Sequence, residues 1–230
     1  MAISEKTQDG LVRVRTWDSP VRIIHWALVL TIAFSWWSAE QRQMEWHMYS
    51  GYTIFALVLF RIFWGFAGSE TARFKSFLRG PGEVIRYLKK LRSSERHSEP
   101  GHNPLGGWSV VLLLLVTTIQ VGTGLFAVDI DGIDSGPLSD RVEFDTGRLF
   151  AEVHETAFLV LQILIIVHLC AIVFYILVKR ENLVSAMISG YRRLTPSARP
   201  QPVFATGWRM VIGILIAGAT VYAFSRGLRF

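Results

Sequence analysis

The apolar and polar positions divide the chain into five long apolar runs joined by polar links. The runs are roughly Val21 to Ala39, Met48 to Gly65, Trp108 to Val128, Ala151 to Val178 and Trp208 to Phe224. Each reaches or approaches the roughly 20 apolar residues that a helix needs to cross a bilayer core, and the fifth is the weakest. The pattern predicts an all-α integral membrane protein: a four-helix transmembrane bundle with a fifth transmembrane helix at the C-terminus. Residues 1–20 form a polar N-terminal segment, 21–190 the bundle, and 191–230 a linker and the extra helix. The first twenty residues lack the apolar core of a cleavable signal peptide, so the first span is expected to direct insertion.

The polar links differ in sign. Between the second and third runs, Ser69 to Gly107 holds eight Lys and Arg residues against four acids. After the fourth run come Lys179, Arg180, Arg192, Arg193, Arg199 and Arg209, opposed by Glu181. The link between the third and fourth runs is the reverse, with Asp129, Asp131, Asp134, Asp140, Glu143, Asp145 and Glu152 against Arg141 and Arg148. The positive-inside rule then places the N-terminus and both basic links in the cytoplasm and the acidic link outside, for a multi-pass membrane protein. Trp17, Trp26, Trp64, Trp108 and Trp208 fall near one set of span ends and Trp36, Trp37 and Trp46 near the other, as an aromatic belt would have them. Within the first basic link, Pro81 to Arg92 reads as a short amphipathic helix lying among headgroups, or as a solvated loop helix.

Composition sharpens this picture in two places. The net charge of +6 follows the topology of the links, which argues against a nucleic-acid partner and for membrane lipid. The lone cysteine, Cys170, lies within an apolar run, so no disulfide framework and no covalent haem-attachment motif is available. The hydrophobic share of 51% and mean hydropathy of +0.35 agree with a membrane chain.

Ionisable residues inside spans are costly and mark functional sites by default. Four of the six histidines lie in or beside spans. His154 and His168 are fourteen residues apart, which leaves them about 40° apart around a helix axis and about 21 Å apart along it. By depth, His47 matches His154 near the acidic link, and His25 matches His168 near the basic links. Two imidazoles facing each other without nearby thiolates or carboxylates suit the axial positions of a low-spin b-type haem, so two non-covalent haem b groups are expected. Zinc would require further ligands. Arg61 lies fourteen residues after His47, at the depth of the second pair. It reads as a partner for haem propionates or as a side chain snorkelling to the headgroups. Gly51, Gly65, Gly122 and Gly124 could give a flat macrocycle room or serve close helix packing. His102 and Asn103, just before the third run, offer hydrogen-bonding groups for a ligand at the depth of the second pair, against a surface histidine and an ordinary helix cap before Pro104. His97 reads as a solvated loop residue.

The segments VRTWDSPVRIIHW, HMYSGY, LVLFRIFWGFAGS, RFKSFLRGPGEVIRYL, GHNPLGGW, HETAF and ENLVSAMISG, from about Val14 to Gly190, resemble the bacterial cytochrome b561 family, which includes the di-haem cytochrome b subunits of nickel-iron hydrogenases. The resemblance implies a four-helix core with two b haems ligated from the first, second and fourth helices, and exchange of electrons with a quinone and a redox partner protein. The expected function is transmembrane electron transfer between the quinone pool and an extracytoplasmic partner such as a c-type cytochrome, to which the acidic link would be complementary. The alternatives are an electron-transfer subunit of a nickel-iron hydrogenase or similar dehydrogenase and, from another class, a non-redox histidine-lined transporter. Gly213 and Ala217 in the fifth run form a small-xxx-small pair, and their packing on a neighbouring subunit, a homo-oligomer included, is a further expectation.

Overall fold

The computed structural model describes residues 11–91, 101–131, 134–195 and 202–227. His97 and most of the linker from Thr195 to Pro202 lie outside these. Five helices are long and apolar enough to cross a membrane: α1 (Ser19–Glu40), α2 (Met44–Ala67), and, after two short helices α3 (Phe74–Phe77) and α4 (Pro81–Lys90), α5 (Pro104–Gly124) and α6 (Phe144–Leu177). A short α7 (Leu183–Ser189) and the fifth spanning helix α8 (Gly207–Ser225) follow. The chain is a multi-pass membrane protein, as the five apolar runs predict.

The helix starts follow from local chemistry. Asp18 caps α1 by accepting from Val21 N at 2.9 Å, with Pro20 in the first turn. Asn103 caps α5 by accepting from Gly106 N at 2.7 Å, with Pro104 in the first turn. The largest departure from the apolar pattern is in α6, which begins at Phe144, ahead of the expected Ala151, because its first turns are polar. Gly147 makes this possible: its bare Cα lies against Val128, whose N–H donates to the Gly147 carbonyl at 3.1 Å. At 34 residues α6 is about 51 Å long, well beyond a bilayer core of about 30 Å.

α1 packs on α2, α5 packs on α6 and α2, and α8 packs on α2. One core cluster joins Trp17, Val21, Phe60, Trp64, Ala72, Ala186 and Ala217 at the end bearing the basic links; a second joins Ile54, Val58 and Val121. Trp17 and Trp64 therefore belong to the core, whereas Trp36, Trp37, Trp46, Trp108 and Trp208 are exposed as a belt requires. The apolar residues on the opposite face of α6, including Leu159, Ile163, Ile166 and Val173, are exposed and suit lipid contact.

Two features depart from the sequence reading. The polar N-terminal segment contains a strand, β1 (Val12–Arg15), paired antiparallel with β2 (Tyr191–Leu194) just after α7. Gly213 and Ala217 face α2 of their own chain: a Cβ on Gly213 would stand 2.7 Å from the Phe63 ring, and Ala217 is buried beside Phe60. The small residues let two large aromatic rings of α2 approach the α8 backbone, which leaves them no surface for a neighbouring subunit.

Candidate functional site

Three helices carry seven-residue series, polar residues alternating with apolar ones in α2 and most of α6, on faces turned toward the bundle interior. α6 carries His154, Leu161, His168 and Tyr175; α2 carries His47, Ile54 and Arg61; α1 begins at the capping Asp18 and carries His25 and Ile32. Leu161, Ile54, Arg61 and Tyr175 are all buried, so these intervals mark the interior stripe of each helix.

At the acidic end the rings of His47 and His154 lie 6.1 Å apart between centroids, nearly perpendicular at 85°. His47 Nδ1 is 3.0 Å from the Ser35 carbonyl, and His154 Nδ1 is 2.8 Å from the Gln120 carbonyl. A carbonyl only accepts, so both rings carry their proton on Nδ1 and present the Nε2 lone pair. The Gln120 amide donates to that lone pair on His154 at 2.9 Å. Two imidazoles that held one metal between them, at about 2 Å per metal–nitrogen bond, would have centroids roughly 6 Å apart. The observed spacing and tautomers fit that role, and carbonyl partners on the second nitrogen are what ligating imidazoles require.

The glycines sort by what lies over them. A Cβ on Gly124 would stand 2.8 Å from His154 Cε1, so this position must stay bare for the ring to seat. Gly65 likewise admits the Phe74 ring. At Gly51, one turn beyond His47, and at Gly122, a Cβ would meet nothing within 4 Å.

At the basic end, His25 and His168 lie within electrostatic reach of one another and of His102. His25 Nδ1 is shielded from solvent with no hydrogen-bond partner among the described residues, and its ring stands edge-on to Trp26 at 5.1 Å. Arg61 is 6% exposed, which rules out snorkelling. Its guanidinium makes one long hydrogen bond, to the Ala72 carbonyl at 3.4 Å, and feels the carboxylate of Asp18. Asp18 itself is engaged by Val21 N and by Trp64 Nε1 at 2.8 Å. A buried cation with one long hydrogen bond among the described residues fits a carboxylate-bearing ligand such as a propionate.

His102 is not a surface residue. Its ring lies between Trp17 and Phe77, at 4.6 and 4.7 Å, and Nδ1 is shielded and has no partner among the described residues. Burial first, and then Arg61, Arg192, His168 and His25, push its pKa down to about 3, so the ring is neutral. Asn103 caps α5 and also donates from Nδ2 to the Tyr175 hydroxyl at 2.7 Å, and that hydroxyl is 2.5 Å from the Tyr87 hydroxyl on α4. Burial raises the Tyr87 phenol above its ordinary range, which keeps that hydroxyl protonated.

Sequence reasoning missed Ser35, Gln120 and Tyr175. Tyr175 was signalled by the seven-residue step beyond His168. Gln120 stood out only as a polar residue in an apolar run.

A profile of the family described as prokaryotic cytochrome b561 matches residues 16–190. Over 228 residues, covering 82% of this chain and 95% of the relative, the chain is 23% identical to a probable Ni/Fe-hydrogenase B-type cytochrome subunit of Azotobacter vinelandii. It is 22% identical, with the same coverage, to the corresponding protein of Azotobacter chroococcum mcd 1. No solved structure matches the chain significantly.

Proposed function

The chain belongs to the prokaryotic cytochrome b561 family, and from that premise we propose that it carries electrons across the membrane between the quinone pool and an extracytoplasmic redox partner. Two b haems would be held, one by His47 and His154 toward the acidic end and one by His25 and His168 toward the basic end. The observation that carries this reading is the acidic-end pair, two rings 6.1 Å apart with both Nδ1 protons on main-chain carbonyls. Haem b, when bound, supplies reversible one-electron chemistry at iron. The residues do the rest. The carbonyls of Ser35 and Gln120 fix which nitrogen faces the metal, Gly124 leaves the ring its seat, and Arg61 neutralises acidic groups buried at the basic end.

A quinone headgroup would bind at the basic end, where His102 offers an unpartnered Nδ1 and Asn103 and Tyr175 form a polar corner. The excess of Lys and Arg in the basic links supports an orientation with that end in the cytoplasm and the acidic link outside, in a bacterial inner membrane. The partner is a hydrogenase or similar dehydrogenase, a reading supported by the names of the two relatives. The acidic link supports a second reading, a basic c-type cytochrome, and co-purification with a large catalytic subunit or with a small cytochrome decides between them. Family membership weighs against a non-redox transporter.

The primary test is a reduced-minus-oxidised spectrum with haem quantification on the purified protein. Two haem b per chain are expected; one or none would overturn the paired assignment.

A further inference from the structure

The strands β1 and β2 bring together arginines that the bundle does not use. In their antiparallel register Arg13 stands directly opposite Arg193, and Arg15 opposite Tyr191, so these four side chains share one face of the ribbon. That face is exposed. Arg192, on the other face, is satisfied internally by Glu181 at 2.8 Å and by the Gly101 carbonyl at 3.0 Å. Among the described residues no carboxylate pairs with Arg13, Arg15 or Arg193. Like charges placed opposite each other across a strand pair are unfavourable unless an anion joins them.

The arginines are held rather than loose. The Arg13 guanidinium lies 4.2 Å over the Tyr191 ring and that of Arg15 lies 4.3 Å over the Phe204 ring. Stacking uses the planar face of a guanidinium and leaves its N–H edges for an anion. Phe204 is fixed in turn, because the segment before α8 is pinned to the end of α2. Val203 N donates to Glu70 Oε2 at 3.0 Å, Glu70 N donates to the Val203 carbonyl at 2.9 Å, and Ala205 N donates to Ser69 Oγ at 3.0 Å. Beside Arg15 this arrangement encloses a cleft of about 150 Å³, lined by Ser19, Ser69, Thr206 and Met210 as well as by Arg15 and Phe204. Its one carboxylate, Asp18, is already engaged by Val21 N and Trp64 Nε1.

We propose that this basic ribbon and the cleft beside Arg15 form a binding site for the phosphate of an anionic membrane lipid. The phosphate oxygens take the N–H edges of Arg15 and its neighbours and the hydroxyls of the cleft. The location selects a lipid over other phosphates. The cleft opens where α1 and α8 begin, two helices that span the membrane, and Met210 in its wall continues into the exposed apolar residues Val211, Ile214 and Leu215 of α8, a path for acyl chains. This is more than the positive-inside bias, which requires a count of charges but not their convergence on one pinned cleft.

The test uses the full-length, haem-loaded protein in nanodiscs of phosphatidylcholine with a minor fraction of phosphatidylglycerol, with bound lipid read by native mass spectrometry. Wild type should retain phosphatidylglycerol preferentially. Arg15→Gln combined with Arg193→Gln should weaken that preference roughly thirtyfold, the size expected for two surface charges, with an unchanged Soret band. Arg86→Gln with Lys89→Gln on α4 removes equal charge from another exposed basic surface and should leave the preference intact. Retention that survives the ribbon substitutions, or falls as far in the α4 variant, overturns the site, as does displacement of the lipid by inorganic phosphate. Should the double variant fail to assemble, Phe204→Leu, which keeps every charge, serves in its place with an expected loss of roughly threefold; unchanged retention there overturns the proposal.

Discussion

The two histidine pairs are built on different principles. At the acidic end, the main chain sets the site: the carbonyls of Ser35 and Gln120 fix the rings of His47 and His154, and a bare Gly124 seats one of them. At the basic end side chains replace the main chain: His25 Nδ1 has no partner among the described residues, and the neutral His102 lies within electrostatic reach of both rings and of Arg61 and Arg192. Backbone carbonyls fix orientation strongly but cannot adjust, whereas side-chain charges tune energy over a distance and can be altered one at a time. The acidic-end site should therefore be sensitive to shape, and the basic-end site to charge.

The largest effects should come from the ligand candidates themselves. His168→Ala is expected to remove one haem and leave the other, and His154→Ala to remove the complementary one, as read by haem content and split Soret features. Loss of both haems from either variant would dissolve the distinction between the ends. Next, Gly124→Ala pushes a methyl group against the His154 ring. Haem occupancy at the acidic end should fall severalfold at limiting haem, by an overpacking cost of about 1–3 kcal/mol, with the basic-end spectrum unchanged.

Arg61→Gln addresses charge. Removing a buried cation near the basic-end pair should lower the midpoint potential of one haem by roughly 50–100 mV, the equivalent of about 1–2 kcal/mol at an intermediate dielectric. Redox titration should show the second potential moving much less, and equal shifts in both would contradict a local role. A smaller effect is expected from Tyr175→Phe, which removes the hydroxyl joining Asn103 to Tyr87. Its cost to stability is about 1 kcal/mol, and quinol oxidation should slow while both haem spectra persist.

A last prediction concerns pH. His102 is held neutral with its pKa pushed down to about 3, against 6.5 when free. The unfolded chain therefore binds a proton between those values that the folded chain does not, and stability declines as pH falls from 6.5 toward 3. His102→Phe keeps an aromatic ring between Trp17 and Phe77 and should flatten that part of the profile in thermal unfolding followed by the Soret band.

The spans were legible because long apolar runs are written directly in the residue types, and the four histidines stood out as candidates by their depth and by the fourteen-residue interval from His154 to His168. The carbonyl partners were not, because every residue has a carbonyl and only geometry shows that those of Ser35 and Gln120 meet imidazoles. The burial of His102 was hidden for a related reason, since Trp17 and Phe77 are remote from it in sequence. The start of α6 was missed because its first turns are polar, and the β1–β2 ribbon because four residues per strand carry little pattern. The pair Gly213 and Ala217 was recognised as a packing surface, but which helix would use it depended on the aromatic rings of α2.

The β1–β2 ribbon also closes the chain upon itself. It ties residues 12–15 to residues 191–194, so the polypeptide forms a fastened loop before α8 begins. The helix that follows is an appendage to a unit whose two ends already meet. A chain terminating after Leu194 would keep that fastening, yet it would strip α2 of its cover at Phe60 and Phe63. Continuity of the loop and shielding of α2 are thus separable properties of this protein.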